Sequence, residues 1–268
     1  MLELQRRYVF AGLANRDYEG EISAYGDTVK INNIGEITVG DYTKNTDITD
    51  PQDLTSDQRT LVIDQAKYFN FQVDDIDSAQ NKPKVMETAV RKAADRLARE
   101  MDKHLAGLFS DIDNTIGDDI DPIELDEENI YETLVQVATV LDENDVPEDG
   151  RFVVMPPKFV ALLSKSKYFT KATEMGDAVV VNGFSGSAAG LMVYKSNNVD
   201  KDGDNYHIIA GVNDAWTMAE QINSVETYRM EKRFANAVKG LHLYGAKVTR
   251  PEAMVVLTAT SPVEETEQ

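Results

Sequence analysis

Three histidines, two aspartate runs and one serine-centred glycine motif are the residues whose types could carry chemistry. His104, His207 and His242 could act as bases or metal ligands, but they lie far apart, one on a helical stretch and two on extended ones. Spacing alone assembles no acid and base pair from them, and each reads as a structural or surface residue. Asp200, Asp202 and Asp204 resemble the start of a calcium loop, yet the glycine falls at 203 instead of 205. Gly211 stands at the twelfth position, where a bidentate Glu belongs, so a hairpin turn is expected there. Asp111, Asp113 and Thr115 fail the same test at Ile116 and Pro122. Gly183-Phe184-Ser185-Gly186-Ser187 misses the closing glycine of the G-x-S-x-G elbow and reads as a flexible loop. Neither a Walker loop nor G-x-G-x-x-G is present. Without cysteine there is no thiolate, and a zinc site would have to draw on the three histidines and carboxylates. The residues therefore point to no catalytic, cofactor-binding or metal site, to no cofactor, and to a protein that is not an enzyme.

The elements that would position such groups read as an α+β chain. Val29, Ile31, Ile37 and Val39 alternate with polar residues, as do Phe69, Phe71 and Val73, which predicts strands. Between them residues 41–58 are polar and read as the tip of a long hairpin. Met86, Val90, Ala93, Leu97, Met101, Leu105 and Leu108 recur at spacings of three and four, predicting a helix over 78–109. A second helix, capped by Asp126, carries Ile130, Leu134, Val137, Ala138 and Leu141. Residues 151–155 read as a buried strand, and Pro157 opens a short helix over 158–164. Strands are expected at 178–181, 191–194, 206–211, 215–218, 240–248 and 254–259, with 183–190 and 200–204 as turns. The acidic end from 261 reads as frayed.

Charge narrows the function classes. The 268 residues carry 27 basic and 47 acidic side chains, a net charge of -20, which disfavours sequence-specific contact with nucleic acid and binding to anionic membranes. Residues 110–150 hold 15 acids and no Lys or Arg, whereas 82–103 and 228–250 together sum to +8. Two readings of this asymmetry stay open: a solvated acidic face, or a head-to-tail contact between unlike surfaces of neighbouring copies. No apolar run reaches the length of a membrane helix and no signal peptide opens the chain, so a soluble protein made inside the cell is expected.

Two stretches carry a family resemblance. Asn15-Arg16-Asp17-Tyr18-Glu19-Gly20-Glu21-Ile22, followed by Gly26-Asp27-Thr28-Val29-Lys30-Ile31, is similar to the lead-in to an extended loop. Phe234-Ala235-Asn236-Ala237-Val238-Lys239-Gly240-Leu241-His242-Leu243-Tyr244-Gly245-Ala246-Lys247-Val248, then Arg250-Pro251-Glu252, resembles a set of closing strands. In both, and in the order of elements, the chain resembles the major capsid proteins of tailed bacteriophages, with the Hong Kong 97-like shell fold also seen in encapsulins.

The resemblance implies an N-terminal arm (1–19), an extended loop (20–75), a peripheral domain with its spine helix (76–109 and 222–260), an axial domain (110–221) and a flexible tail (261–268). It implies self-assembly into pentamers and hexamers of an icosahedral shell around double-stranded DNA, held without sequence-specific contact and without a membrane. Localisation would be the virion, with the host cytoplasm during assembly. The arm is short for the family, or its start has been trimmed, and no leading coiled coil is seen, so a separate scaffolding protein is expected, beside a portal protein and decoration proteins. Lys30, Lys44 and Lys67 lie in the loop, with no cross-linking partner assigned. Residues 41–58 are expected to exchange amide hydrogens fast in the free subunit and slowly in the shell. The alternatives are an encapsulin-like cellular compartment and an unrelated enzyme with a carboxylate site in 110–150.

Overall fold

The structure, a computed structural model of the chain, describes residues 8–17, 28–34, 56–74, 84–166, 184–231 and 234–261, with single residues 41 and 44. Along it run a short helix α1 (Phe10–Leu13), strands β1 (Thr28–Ile34), β2 (Ser56–Val62) and β3 (Gln65–Asp74), and the long helix α2 (Lys84–Ala106). Then come β4 (Asn114–Ile116), β5 (Ile123–Glu124), α3 (Ile130–Glu143), β6 (Arg151–Met155) and α4 (Pro157–Lys165). The chain closes with β7 (Phe184–Ala188), β8 (Leu191–Lys195), β9 (Asp200–Asp202), β10 (Asn205–Val212), β11 (Trp216–Arg229), β12 (Ala235–Val248) and β13 (Met254–Thr260).

A mixed eight-stranded sheet has the order β4-β13-β10-β6-β8-β7, with β5 beside β13 and β9 beside β10. Its centre forms because β6, β10 and β13 are near-continuous apolar runs that can be covered on both faces; every residue of β6 is buried. Helix α3 turns Ile130, Leu134, Val137 and Leu141 inward, at the spacing of one helical face. Asp126 accepts from the amides of Glu128 and Asn129 at 2.8 Å each, and Asn129 Oδ1 accepts from the Asp126 amide at 2.9 Å. That reciprocal pair is a capping box ahead of the regular helix, so the expected cap holds.

A second sheet, β11-β12-β3, is three-stranded and antiparallel, and β1 and β2 pair antiparallel as a separate two-stranded sheet. The hairpin foot is fixed by a small cluster of Ile31, Leu61, Ile63, Ala219 and Leu243. Gly245 permits this approach, because a Cβ there would lie 2.1 Å from the Val62 carbonyl oxygen. The main core is contiguous from Val9 and Phe10 through Leu105, Leu134, Phe152 and Ile208 to Val256. Trp216 is its hinge-point: the indole meets Phe10 edge-on at 6.0 Å and stacks with Phe152 at 5.7 Å. Val9, Phe10, Ala11, Leu13 and Ala14 thus pack inside the body.

Several sequence expectations change. The long helix ends at Ala106 and passes into a tighter turn over Gly107–Asp111, and of the stripe's described side chains Met101 and Leu105 are buried while Val90, Ala93, Leu97 and Leu108 are half-buried. Residues 184–188 form an edge strand, not a loop: backbone pairing with β8 holds it, and the turn is confined to Ala189 (φ 50°) and Gly190 (φ 78°). Strands β11 and β12 run well beyond 215–218 and 240–248. Residues 56–58, expected in the polar tip, belong to β2. The expected strands around Ile37 and at 178–181, and helix residues 78–83, lie outside the described residues, as do the 183 position and most of 41–55.

Candidate functional site: joints and exposed faces

The three histidines are separated into two places. His104, in the last turn of α2, meets Tyr244 edge-on at 5.5 Å, and His242 lies 5.2 Å from the same ring. The fold therefore brings together two histidines that sequence keeps 138 positions apart, while His207 sits in the other sheet. Burial lowers His104 from its ordinary value, with Asp64 acting against that and Lys67 with it. Tyr244 is pushed up to about 12, first by burial and then by Glu100 and Asp64, so its phenol stays neutral. Glu220 accepts from His242 Nε2 at 3.1 Å and from Arg16 Nη1 at 2.9 Å. The His242 bond holds its carboxyl below the usual range, partly offset by burial and helped by Arg16. An ionised carboxylate so engaged is a brace between the N-terminal segment and β11–β12. Among the described residues no group of His, Asp and Glu is placed to hold a metal.

The aspartate run at 200–204 is the hairpin turn expected, with β9 paired to β10 and Gly203 at φ 57°. Asp111 accepts from Lys247 at 2.6 Å. Glu127 pairs with Lys165 and Asp142 with Arg151. Arg151 is itself buried and donates to the carbonyls of Pro147 and Val146, closing the end of α3. The acidic stretch is thus stitched at several points to bases of its own chain, while most of its carboxylates face solvent.

Sequence reading missed the joint at Asp102. This fully buried carboxylate accepts from the Ala11 amide at 3.1 Å and from Asn198 Nδ2 at 2.7 Å. Burial raises it above its ordinary 3.8, while Asn198 and the amides of Ala11, Val9 and Phe10 act in the opposite sense. One side chain of α2 so joins the first residues of the chain to the loop after β8. Its only sequence signal is a charge on the inward side of the stripe, three residues before Leu105.

The exposed apolar residues mark what faces outward. Tyr68 (76% exposed) and Leu241 are direct cross-strand partners on β3 and β12, Tyr228 lies nearby on β11, and Phe234 (80%) sits at the β11–β12 turn. Lys239 lies 5.6 Å over the Tyr228 ring and pairs with Glu226. A further exposed side chain, Ile120 (94%), tips the loop after β4. Such grouped apolar exposure on a folded subunit is the mark of surfaces that meet other macromolecules.

A family model described as phage capsid protein matches residues 35–257. A solved structure described as Mycobacterium phage Che8 is 30% identical, aligned over 96% of this chain and 93% of its own, with a TM-score of 0.77. The capsid structure of cyanophage P-SCSP1u is 16% identical over 97% and 91% of the two chains, with a TM-score of 0.76. The capsid of Ralstonia phage GP4 is 14% identical over 98% and 94%, at 0.70. The last two show a shared mixed helix-and-sheet fold. No curated protein matches the sequence.

Proposed function

The chain belongs to the phage capsid protein family, and on that premise we propose that its copies close as pentamers and hexamers into an icosahedral shell enclosing the double-stranded DNA of a tailed phage. One observation carries the mechanism. The three-stranded sheet leaves Tyr68, Leu241, Tyr228 and Phe234 outward on a subunit whose core is already closed elsewhere, which suits contacts made only between copies. Within a Hong Kong 97-like assignment, α2 serves as the spine helix and β3, β11 and β12 as the peripheral sheet. The eight-stranded sheet with α3 and α4 is then the axial domain, and β1–β2 the root of the extended loop. Against boundaries of 20–75, 76–109 with 222–260, and 110–221, this assignment moves β3 from the loop to the peripheral sheet, β13 from the peripheral to the axial domain, and the start of β11 from the axial to the peripheral domain.

The role is geometric, not catalytic: the polar groups described above brace elements. Net charge of -20 suits DNA held without base contacts. The resemblance supports scaffolding, portal and decoration proteins as further partners and the virion as the place of residence, after assembly in host cytoplasm. An encapsulin-like compartment is not favoured. The test is electron microscopy of the particulate fraction from cells making this chain alone and with an adjacent scaffold gene. Closed shells with five-fold vertices are expected; monomers or small closed oligomers in both cultures would overturn the reading.

A further inference from the structure

We propose that His207 is a proton-operated clip that fastens the loop between β4 and β5 to the eight-stranded sheet. The ring lies on β10 and is 2% exposed. Its Nδ1 is 2.9 Å from Asp200 Oδ2 and its Nε2 is 2.9 Å from Asp119 Oδ1. Ionised carboxylates only accept hydrogen bonds, and a neutral imidazole has a single N–H to give. Both contacts are hydrogen bonds together only when the ring carries two protons. Phe109 lies parallel to it, 3.9 Å between centroids and 8° between planes, a face suited to a cation.

The loop is built to move as a unit. Gly117 leaves β4 at φ 73°, where a Cβ would lie 2.8 Å from the Thr258 carbonyl oxygen. Asp118 Oδ1 accepts from the amides of Ile120 at 2.8 Å and Asp121 at 2.7 Å, so the tip keeps its shape from within. Two bonds tie it to the β9–β10 hairpin, both through Asp119: the carboxylate to His207, and the backbone carbonyl accepting from Asn205 Nδ2 at 3.0 Å. Ile120, the most exposed large apolar residue described, stands beside them.

The charged groups around the ring are nearly all acidic. The loop contributes Asp118, Asp119 and Asp121; the β9 turn contributes Asp200, Asp202 and Asp204. Lys201 in that turn lies over the Tyr206 ring and pairs with Asp204. The segment of Phe109 brings Asp111, already held by Lys247, and β13 places Thr258 opposite. Losing one ring proton leaves a lone pair facing a carboxylate, so one bond becomes a repulsion. Asp119 is the more exposed partner, 58% against 38% for Asp200, and is the arm that lets go. Rising pH then frees the loop and Ile120. The clip stands on the geometry of the subunit; that Ile120 meets a neighbouring copy rests on the capsid reading.

The test is hydrogen exchange of residues 117–122 in the unassembled full chain, corrected for intrinsic exchange, between about pH 5 and pH 8, with Asp119→Asn in parallel. Asparagine can present its oxygen to an N–H or its amide to a lone pair, so it satisfies both ring states. Wild-type protection is expected to fall about tenfold or more across the range, and Asp119→Asn protection to stay level. A flat wild-type profile, or an equal fall in the variant, overturns the clip. Neither result depends on whether shells form.

Discussion

Strands β6 and β12 show how differently two parts of one subunit are finished. In β6, Arg151 to Met155 are all buried, and the lone charge pairs with Asp142 and donates to the carbonyls of Val146 and Pro147. In β12, Lys239 and Leu241 face outward while Val238, His242 and Tyr244 face α2 and the body. The first region is complete in a single copy. The second is ordered by backbone pairing over ten or more residues yet leaves apolar side chains in water, and that cost is recovered only when another surface covers them. The contrast separates residues that make the subunit from residues that make the shell.

The largest break falls in the first class. Trp216→Ala empties the site between Phe10 and Phe152 and should cost about 3–5 kcal/mol, lowering Tm on the order of 10 °C in a thermal melt, with assembly lost as a consequence. Next comes Asp102→Ala, which strands the Ala11 amide and Asn198 and should cost about 2–4 kcal/mol. Asp102 also sets a sign with pH. Burial raises it above its ordinary 3.8, so the folded chain holds this proton more tightly than the unfolded one. Its contribution to stability therefore falls as pH rises from there through the raised folded value. Melts of wild type and Asp102→Asn against pH should show that falling limb in wild type alone.

Gly245→Ala tests the seam between the two classes. A carbonyl oxygen cannot rotate away from a Cβ at 2.1 Å, so the β1–β2 foot must lift, for about 1–3 kcal/mol in the subunit. Shell yield should fall by more than that stability loss explains. The sharpest separation is the smallest change to the subunit: Tyr68→Ser with Leu241→Ser should shift its stability by no more than about 0.5 kcal/mol, while shells counted by microscopy become scarce. An unchanged shell yield would dissolve the comparison.

Legibility in the sequence follows the same division. The buried elements, β6, α3, α4, β10 and β13, were readable because apolar periodicity reports burial within one chain. The outer reaches of β11 and β12 were cut short, since Lys239 and Glu226, direct cross-strand partners, sit on a face that one copy leaves in solvent and so carry no core pattern. β4 and β5, three and two residues long, are too short to show a period. The Asp102 contacts and the His207–Asp119 contact were invisible because their partners lie 88 to 96 positions away and only topology joins them. The resemblance supplied the capsid family, which no motif chemistry could have.

The central claim is that the outward face of the β3–β12–β11 sheet is covered by neighbouring copies. Hydroxyl-radical footprinting of Tyr68 and Phe234, in the free subunit and in closed shells, tests it most directly. The account predicts strong labelling of both in the free subunit and about tenfold less in shells, with buried Trp216 protected in each. Equal labelling of Tyr68 and Phe234 in closed shells would contradict it.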